Sequence, residues 1–147
     1  MGKKFIYAAL LPILMTGCSS PNISTVPSPY TLSSVQRPFL SMTWIDLFAH
    51  TEEQYLVYVY SDTCMHCLSI KDQIEEFADT SIIPFYFVQY TDEIPIGTNV
   101  EITIGVTSVE ECFIKGTPTL ILIENGAVSF NIAGTEIILE TIDLYKK

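Results

Sequence analysis

Hydrophobic residues along this chain follow two patterns, continuous apolar runs of strand length and runs with helical spacing. The β-branched and aromatic runs at 55–60 and 82–90 predict strands that are buried on both faces. Between them, apolar positions that recur every three or four residues predict a helix over 67–78, and the same spacing predicts a short amphipathic helix at 44–48. The apolar set of the longer helix comprises Leu68, Ile70, Ile74 and Phe77.

The second half of the chain carries a strong hairpin signal. The dipeptide Asn125-Gly126 separates the apolar runs 119–124 and 127–132. Asn-Gly favours a two-residue turn because both residues tolerate a positive φ. Gly134 ends the second run, and the pattern after it predicts a helix over 135–145.

The segment between the second and third predicted strands is less regular. Residues 91–105 contain turn formers without periodicity, so no element is predicted there. The capping box formed by Thr107 and Glu110 predicts a short helix over 108–114 with Cys112 on its buried side. The resulting order, helix, strand, helix, strand, helix, strand, strand, helix, predicts an α/β fold with a central mixed sheet of about four strands flanked by helices.

The first residues of the chain have the pattern of a secretory signal peptide. Lys3 and Lys4 precede the apolar run 5–15. At about 1.5 Å per residue, this run is too short to cross a hydrocarbon layer of about 30 Å. Residues 1–17 are therefore predicted to be a signal peptide rather than a transmembrane helix.

A cysteine follows the predicted signal peptide directly. Residues 14–20 read LMTGCSS and resemble the lipobox of bacterial lipoproteins, which implies that Cys18 becomes the lipidated mature N-terminus. Residues 18–41, rich in Ser, Thr and Pro, then form a tether for a domain at 42–147. We expect a lipid anchor in the cell membrane, on its extracytoplasmic face, with each buried acyl CH₂ contributing about 0.8 kcal/mol. An ordinary secreted protein, in which Cys18 is incidental, is the alternative.

The charge balance is strongly acidic and limits the partners. The 147 residues include 7 basic and 17 acidic ones, and removal of Lys3 and Lys4 leaves a net charge of −12. Nucleic acid is therefore not expected as a partner. An anionic lipid surface would also repel the domain, so membrane attachment would depend on the acyl chains.

The candidate chemistry lies in residues 61–67, which read SDTCMHC and link the first predicted strand to the helix. Two cysteines separated by two residues at a helix start can close a small disulfide, and the helix N-terminus favours the thiolate of the first. A structural disulfide and half of a zinc site have the same spacing. A tetrahedral zinc site would have to recruit His50, His66 or Cys112, so we predict no metal and no cofactor.

A second motif extends this interpretation. Residues 115–119 read KGTPT just before the third predicted strand. Together with the dithiol, in this order and spacing, they resemble the thioredoxin-like thiol–disulfide oxidoreductase family over about residues 42–147. The resemblance implies a thioredoxin-like fold and a cis Thr117–Pro118 bond beside the dithiol. It also implies that the backbone of Thr117 can pair with an extended substrate.

The same resemblance implies roles for the dithiol. Cys64 would be the nucleophile, Cys67 the more buried resolving thiol, and the two would form the redox disulfide. His66 makes the centre similar to the Cys-x-His-Cys sites of disulfide oxidases and isomerases, where a stabilised thiolate makes the disulfide more oxidising. Asp62 opposes this through like charge, and Tyr58 stands where many members bury a carboxylate.

Two classes of function therefore stay open. The first is an anchored oxidoreductase that acts on exported proteins or peptides with thiols or disulfides and works with a redox partner protein. Its direction of electron flow, oxidation or isomerisation against reduction, is undecided. The second is a surface binding lipoprotein with the same fold, whose disulfide is only structural.

Overall fold

The computed structural model describes residues 39–147. The predicted signal peptide at 1–17, Cys18 and most of the predicted tether lie outside the described residues. Between residues 39 and 147, no helix has both the length and the apolar character needed to cross a membrane.

Within this range, five strands form one mixed sheet in the order β1-β3-β2-β4-β5. They are β1 Leu40–Ser41, β2 Gln54–Tyr60, β3 Phe85–Gln89, β4 Thr119–Glu124 and β5 Ala127–Ala133. Strands β1 and β2 run parallel to β3, whereas β4 runs antiparallel to β2 and to β5. The predicted mixed sheet of about four strands is confirmed, with the two-residue β1 as an addition and β3 shorter than the run 82–90.

Successive side chains of a strand point to opposite faces of the sheet, so the core consists of two clusters, one on each face. Along β2, for example, Tyr58 belongs to one cluster while Val57 and Val59 belong to the other. One side, the helical face, packs against α1, α2 and α3, which span Met65–Ser69, Lys71–Thr80 and Thr135–Ile142.

The opposite side, the loop face, is covered without α-helices among the described residues. A 3-10 helix at Trp44–Asp46, where a short amphipathic helix was predicted, contributes Trp44 to this cluster. The long connection 90–118 supplies buried residues such as Ile94 and Ile114. Both faces of the sheet are thus shielded, as the continuous apolar runs predict.

The predicted helix over 67–78 is divided in two. Helix α1 begins two residues earlier than predicted, and it is separated from α2 by Ile70, which has φ −116° and ψ 10°. This break shifts the helical phase, so Ile70 and Ile74 face the core while Leu68, predicted to be apolar and inward, is 50% exposed. The last helix, predicted over 135–145, ends at Ile142 and continues as a 3-10 turn.

The predicted helix over 108–114 is wrong. Residues 108–111 form a turn, and the chain then enters a β-bridge. The Ile114 N–H donates to the Pro95 carbonyl at 3.0 Å, and the Ile114 carbonyl accepts from the Gly97 N–H at 2.8 Å. Because these backbone groups pair across the segment, they cannot continue a helix after the capping box. Cys112 is nevertheless buried, as predicted.

Candidate active site

The two cysteines of the SDTCMHC segment lie where β2 ends and α1 begins. Cys64 is the N-cap of α1, with an extended backbone at φ −81° and ψ 112°. Its Sγ accepts a hydrogen bond from the backbone N–H of Cys67 at 3.3 Å. The first turn of a helix attracts negative charge, so the sulfur of Cys64 lies where a thiolate is stabilised. Cys64 is partly exposed, whereas Cys67 is only 1% exposed.

The loop before β4 forms the other wall of the site. The Thr117–Pro118 peptide bond is cis, as the resemblance implies. The Cys64 thiol donates a hydrogen bond to the Thr117 carbonyl at 3.3 Å. Pro118 is buried, and its carbonyl accepts from the Gly134 N–H at 3.2 Å, which connects the loop to the end of β5. The structure therefore brings the dithiol and the Thr117-Pro118 loop together.

The two thiols differ in acidity. Burial alone would raise the pKa of Cys64. This effect is outweighed by hydrogen bonds that lower the pKa, which come from the side chains of Cys67 and Thr117 and from the backbone N–H groups of Cys67 and His66. For Cys67, burial and the hydrogen bond with Cys64 raise the pKa from an ordinary value of 9.0 to about 11. Cys64 is consequently the more acidic of the two thiols, and the thiolate is the nucleophilic form of a cysteine.

His66 reaches Cys64 through its backbone rather than its ring. Its N–H is one of the groups that lower the pKa of Cys64. The residue is exposed, and its carbonyl accepts from the Ser69 hydroxyl at 2.8 Å, as expected in the first helical turn. The effect of the imidazole on the dithiol stays a prediction.

One residue beside the site could not be assigned from the sequence. Gln89, the last residue of β3, donates from Nε2 to the Asp62 carboxylate at 2.9 Å. Strands β2 and β3 are parallel and pair Tyr60 with Gln89, so the chain after Tyr60 leaves the sheet beside Gln89. The sequence offers the polar Gln89 at the end of an apolar strand as a signal, but the partner follows only from the strand register.

Other candidates lie away from the dithiol. Cys112 belongs to the loop-face cluster and the dithiol to the helical-face cluster, so the sheet separates them. Burial raises the pKa of Cys112 to about 12. His50 packs against the ring of Tyr86, with centroids 4.3 Å apart. In the part of the chain that the structure describes, no group of three or more His, Cys, Asp or Glu side chains is arranged to hold a metal ion.

Comparison with known proteins identifies the fold. Thioredoxin f2 of Chlamydomonas reinhardtii has 18% identity and a TM-score of 0.52, with 73% of this chain and 93% of that chain covered. Schistosoma mansoni thioredoxin has 20% identity and a TM-score of 0.52, with 73% and 92% covered. The short form of spinach chloroplast thioredoxin f has 16% identity and a TM-score of 0.51, with 72% of this chain and 91% of that chain covered. Curated protein sequences gave no match.

These likenesses confirm the predicted thioredoxin-like fold. The thioredoxin family model matches residues 39–143, which include both the dithiol and the cis-proline loop. A thioredoxin domain with cysteines this close supports thiol–disulfide oxidoreductase chemistry. Since the match spans most of the chain, the chain belongs to the thioredoxin family.

Proposed function

We propose that this chain is a membrane-anchored, extracytoplasmic thiol–disulfide oxidoreductase that acts on exported protein thiols or disulfides through Cys64 and Cys67. The observation that carries the dithiol chemistry is the placement of the Cys64 sulfur at the N-cap of α1, hydrogen-bonded to the Cys67 N–H and beside the cis Thr117–Pro118 bond. In this setting the pKa of Cys64 is lowered and that of Cys67 is raised to about 11. A purely structural disulfide gains nothing from this difference. A nucleophile with a resolving partner depends on it.

The proposed reaction transfers two electrons in two exchanges. In the reducing direction, the Cys64 thiolate attacks one sulfur of a substrate disulfide, forms a mixed disulfide and releases the other substrate sulfur as a thiolate. Cys67 then loses its proton and attacks Sγ of Cys64, which releases the second substrate thiolate and leaves the Cys64–Cys67 disulfide. The substrate is reduced by two electrons and the chain is oxidised by two. In the oxidising direction, a substrate thiolate attacks the Cys64–Cys67 disulfide and the same steps run in reverse.

The surroundings of the dithiol suit an extended polypeptide. Met65 and Leu68 follow Cys64 on α1 and are 75% and 50% exposed, so apolar surface borders the nucleophile. Exposed apolar surface of this kind is typical of protein contact sites. The backbone of Thr117, which the resemblance assigns to substrate pairing, lies on the opposite wall of the site, beside the Cys64 sulfur.

For the direction of electron flow, we favour oxidation or isomerisation. A hydrogen-bonded Cys64 thiolate stabilises the reduced form, which makes the disulfide more oxidising. Equilibration with glutathione buffers measures this directly. A potential near about −120 mV would support an oxidant, whereas one near about −270 mV would identify a reductant.

Trapping in cells tests the dithiol chemistry itself. Cys67→Ala leaves Cys64 able to form mixed disulfides but unable to release them, so covalent adducts should accumulate on non-reducing gels. The matched control is the double variant Cys64→Ser with Cys67→Ala, which should give none. If the single variant also yields no adduct, the surface binding lipoprotein with a structural disulfide becomes the better explanation.

The anchor is tested separately. Cys18 lies outside the described residues, and its lipidation is supported by the lipobox sequence alone. Cys18→Ala should move the protein from the membrane fraction to the soluble extracytoplasmic fraction, while Ser19→Ala should not. Continued membrane association of Cys18→Ala would refute lipid anchoring at this residue without affecting the dithiol proposal.

A further inference from the structure

In the segment that follows β2, the side chains of Asp62 and Cys64 are bonded on opposite sides, one to β3 and the other to the loop before β4. The sheet order places β3 on one side of β2 and β4 on the other. On the β3 side, the Asp62 carboxylate accepts the hydrogen bond of Gln89 at 2.9 Å. On the β4 side, the Cys64 thiol bonds to the Thr117 carbonyl at 3.3 Å, two residues before β4 begins.

This arrangement separates two groups that are close in sequence. Neighbouring strands lie about 4.8 Å apart, so the backbones of β3 and β4 are about 10 Å apart across β2. A carboxylate held towards β3 is therefore directed away from the Cys64 sulfur, which bonds on the β4 side, and screening by salt weakens its repulsion more strongly as the distance grows. Asp62 and Gln89 are both exposed, so screening by solvent applies.

A released Asp62 would have a different effect. It precedes the N-cap of α1 by two residues, and a free carboxylate there would be attracted to the first-turn N–H groups that stabilise the Cys64 sulfur. The carboxylate would then compete with the thiolate for those groups and repel it through like charge. The sequence alone predicts this unfavourable effect, and the hydrogen bond to Gln89 opposes it.

We propose that Gln89 is a positioning residue that holds the Asp62 carboxylate on the β3 side of the site and so prevents it from opposing formation of the Cys64 thiolate. The proposal rests on the dithiol function proposed above and deepens it by naming a residue that regulates the nucleophile. The groups that shift the pKa of Cys64 agree with it, because they lie on α1 and on the Thr117-Pro118 loop.

Other titratable or charged groups lie on the elements around the site. They are Cys67 and His66 on α1, Lys115 on the loop before β4, and Asp92 and Glu93 on the connection after β3. All of them stay unchanged in the variants below, so differences between variants report on Asp62 and Gln89.

The test is the pH profile of Cys64 alkylation by iodoacetamide in the reduced full chain, with tandem mass spectrometry to distinguish Cys64 from Cys67. Gln89→Ala should raise the pKa of Cys64 by about 0.3 unit, as expected when a carboxylate moves from about 10 Å to about 5 Å in aqueous surroundings. Alkylation below the pKa should slow about 2-fold. Asp62→Asn alone should change the profile by less than this.

The double variant decides the question. If Gln89 acts by holding Asp62, Gln89→Ala combined with Asp62→Asn should restore the profile of the unmodified chain. A shift that persists in the double variant, or no shift in Gln89→Ala, would overturn the proposal. A third outcome would also overturn it. If Asp62→Asn lowers the pKa of Cys64 by as much as Gln89→Ala raises it, the Asp62 carboxylate already acts on Cys64 at short range in the unmodified chain.

A matched control exists at the other end of the sheet. Gln54 at the start of β2 donates from Nε2 to the Glu124 carboxylate at 2.6 Å, so Gln54→Ala removes an equivalent bond far from the dithiol. It should leave Cys64 alkylation unchanged, and an equal shift there would refute a local effect. Measuring the alkylation profile does not require turnover. The Gln89 proposal can therefore be refuted while trapping supports the dithiol function, or supported while trapping refutes that function.

Discussion

The helical face and the loop face of the sheet bury strand residues equally well, yet they are covered in different ways. Helices with regular apolar spacing cover one face, and a long irregular connection covers the other. Each face also buries one cysteine to 1% exposure, Cys67 on the helical face and Cys112 on the loop face. Burial alone therefore does not distinguish these two cysteines.

The difference lies in what each sulfur contacts. Burial raises the pKa of both thiols, to about 11 for Cys67 and about 12 for Cys112. Cys67, however, is hydrogen-bonded to Cys64, the sulfur that it attacks in the proposed reaction. Cys112 lies behind the sheet, where that sulfur cannot reach it. The two buried cysteines therefore differ in that, among the described residues, only Cys67 has a partner thiol, which lies at a helix start.

The largest predicted effect is a loss of turnover when the buried cysteine of the helical face is replaced. Cys67→Ala should lower multiple-turnover reduction of a protein disulfide by at least about 100-fold, because a resolving thiol held in place acts at an effective concentration far above that of any external thiol. Cys112→Ala is the matched control and should retain turnover per folded molecule. A comparable loss in Cys112→Ala would mean that the loop face takes part in the reaction.

A smaller effect is predicted at the loop face. A Cβ on Gly97 would overlap ring carbons Cδ2 and Cε2 of Phe113, so Gly97→Ala must displace this ring. The Phe113 carbonyl accepts from Asn131 on β5 at 2.8 Å, and a displaced segment strains that bond. Overpacking of this kind lowers the free energy of unfolding by about 1–3 kcal/mol, measurable by urea denaturation.

The control for Gly97→Ala is Thr98→Ala at the exposed neighbouring residue, which should change stability by about 0.5 kcal/mol at most. Turnover per folded Gly97→Ala molecule should equal that of the unmodified chain, because the dithiol lies on the other face. Reduced turnover in the folded fraction would show that the two faces are coupled.

The last predicted effect is absent at neutral pH and concerns the alkaline stability of the protein. The folded state raises the pKa of Cys112 from 9.0 to about 12, so it retains a proton that the unfolded chain releases. The stabilisation is complete below pH 9 and is lost as the pH rises from about 9 to about 12. Each such proton contributes a slope of about 1.4 kcal/mol per pH unit at most. Cys112→Ala should flatten the pH dependence of the unfolding free energy by this amount.

Cys67→Ala provides the comparison for this measurement. In Cys67→Ala, the pH dependence of the unfolding free energy should be flatter only up to about pH 11 rather than about pH 12. The reason is that the pKa of Cys67 is raised only to about 11. Buried tyrosines such as Tyr55, with a pKa of about 12, contribute equally to all variants, so the difference between variants is the quantity to compare. Identical slopes in Cys112→Ala and the unmodified chain would refute a buried, protonated Cys112.

The sequence predicted the strands and the helix that contains Phe77 better than the connection that covers the loop face. The strand at 55–60, the hairpin around Asn125-Gly126 and the helical spacing before Phe77 follow from local patterns, and the structure contains all three. The capping box before Cys112 failed, because backbone pairing between Ile114 and the chain around Pro95 outweighs a local helix signal. Local propensity is a weak prior wherever tertiary hydrogen bonds compete with it.

What the sequence determined by itself is local. A dithiol after an apolar strand, at the start of a helix, places a thiol beside free backbone N–H groups whatever the rest of the fold does. The continuous apolar runs also required a sheet that is covered on both sides. These features depend on residues within one or two turns of each other, so the order of residues is enough to predict them.

Only the tertiary structure decided how the site is tuned. The bond between Cys64 and Thr117 joins residues 53 apart, and the bond between Gln89 and Asp62 joins residues 27 apart. Both depend on which strands are neighbours of β2, and strand order cannot be read from any single segment. The contribution of Thr117 to the pKa of Cys64, the burial that raises the pKa of Cys67 and the placement of the Asp62 charge therefore arise from the tertiary structure, because electrostatic effects depend on distances in space rather than on separation along the chain.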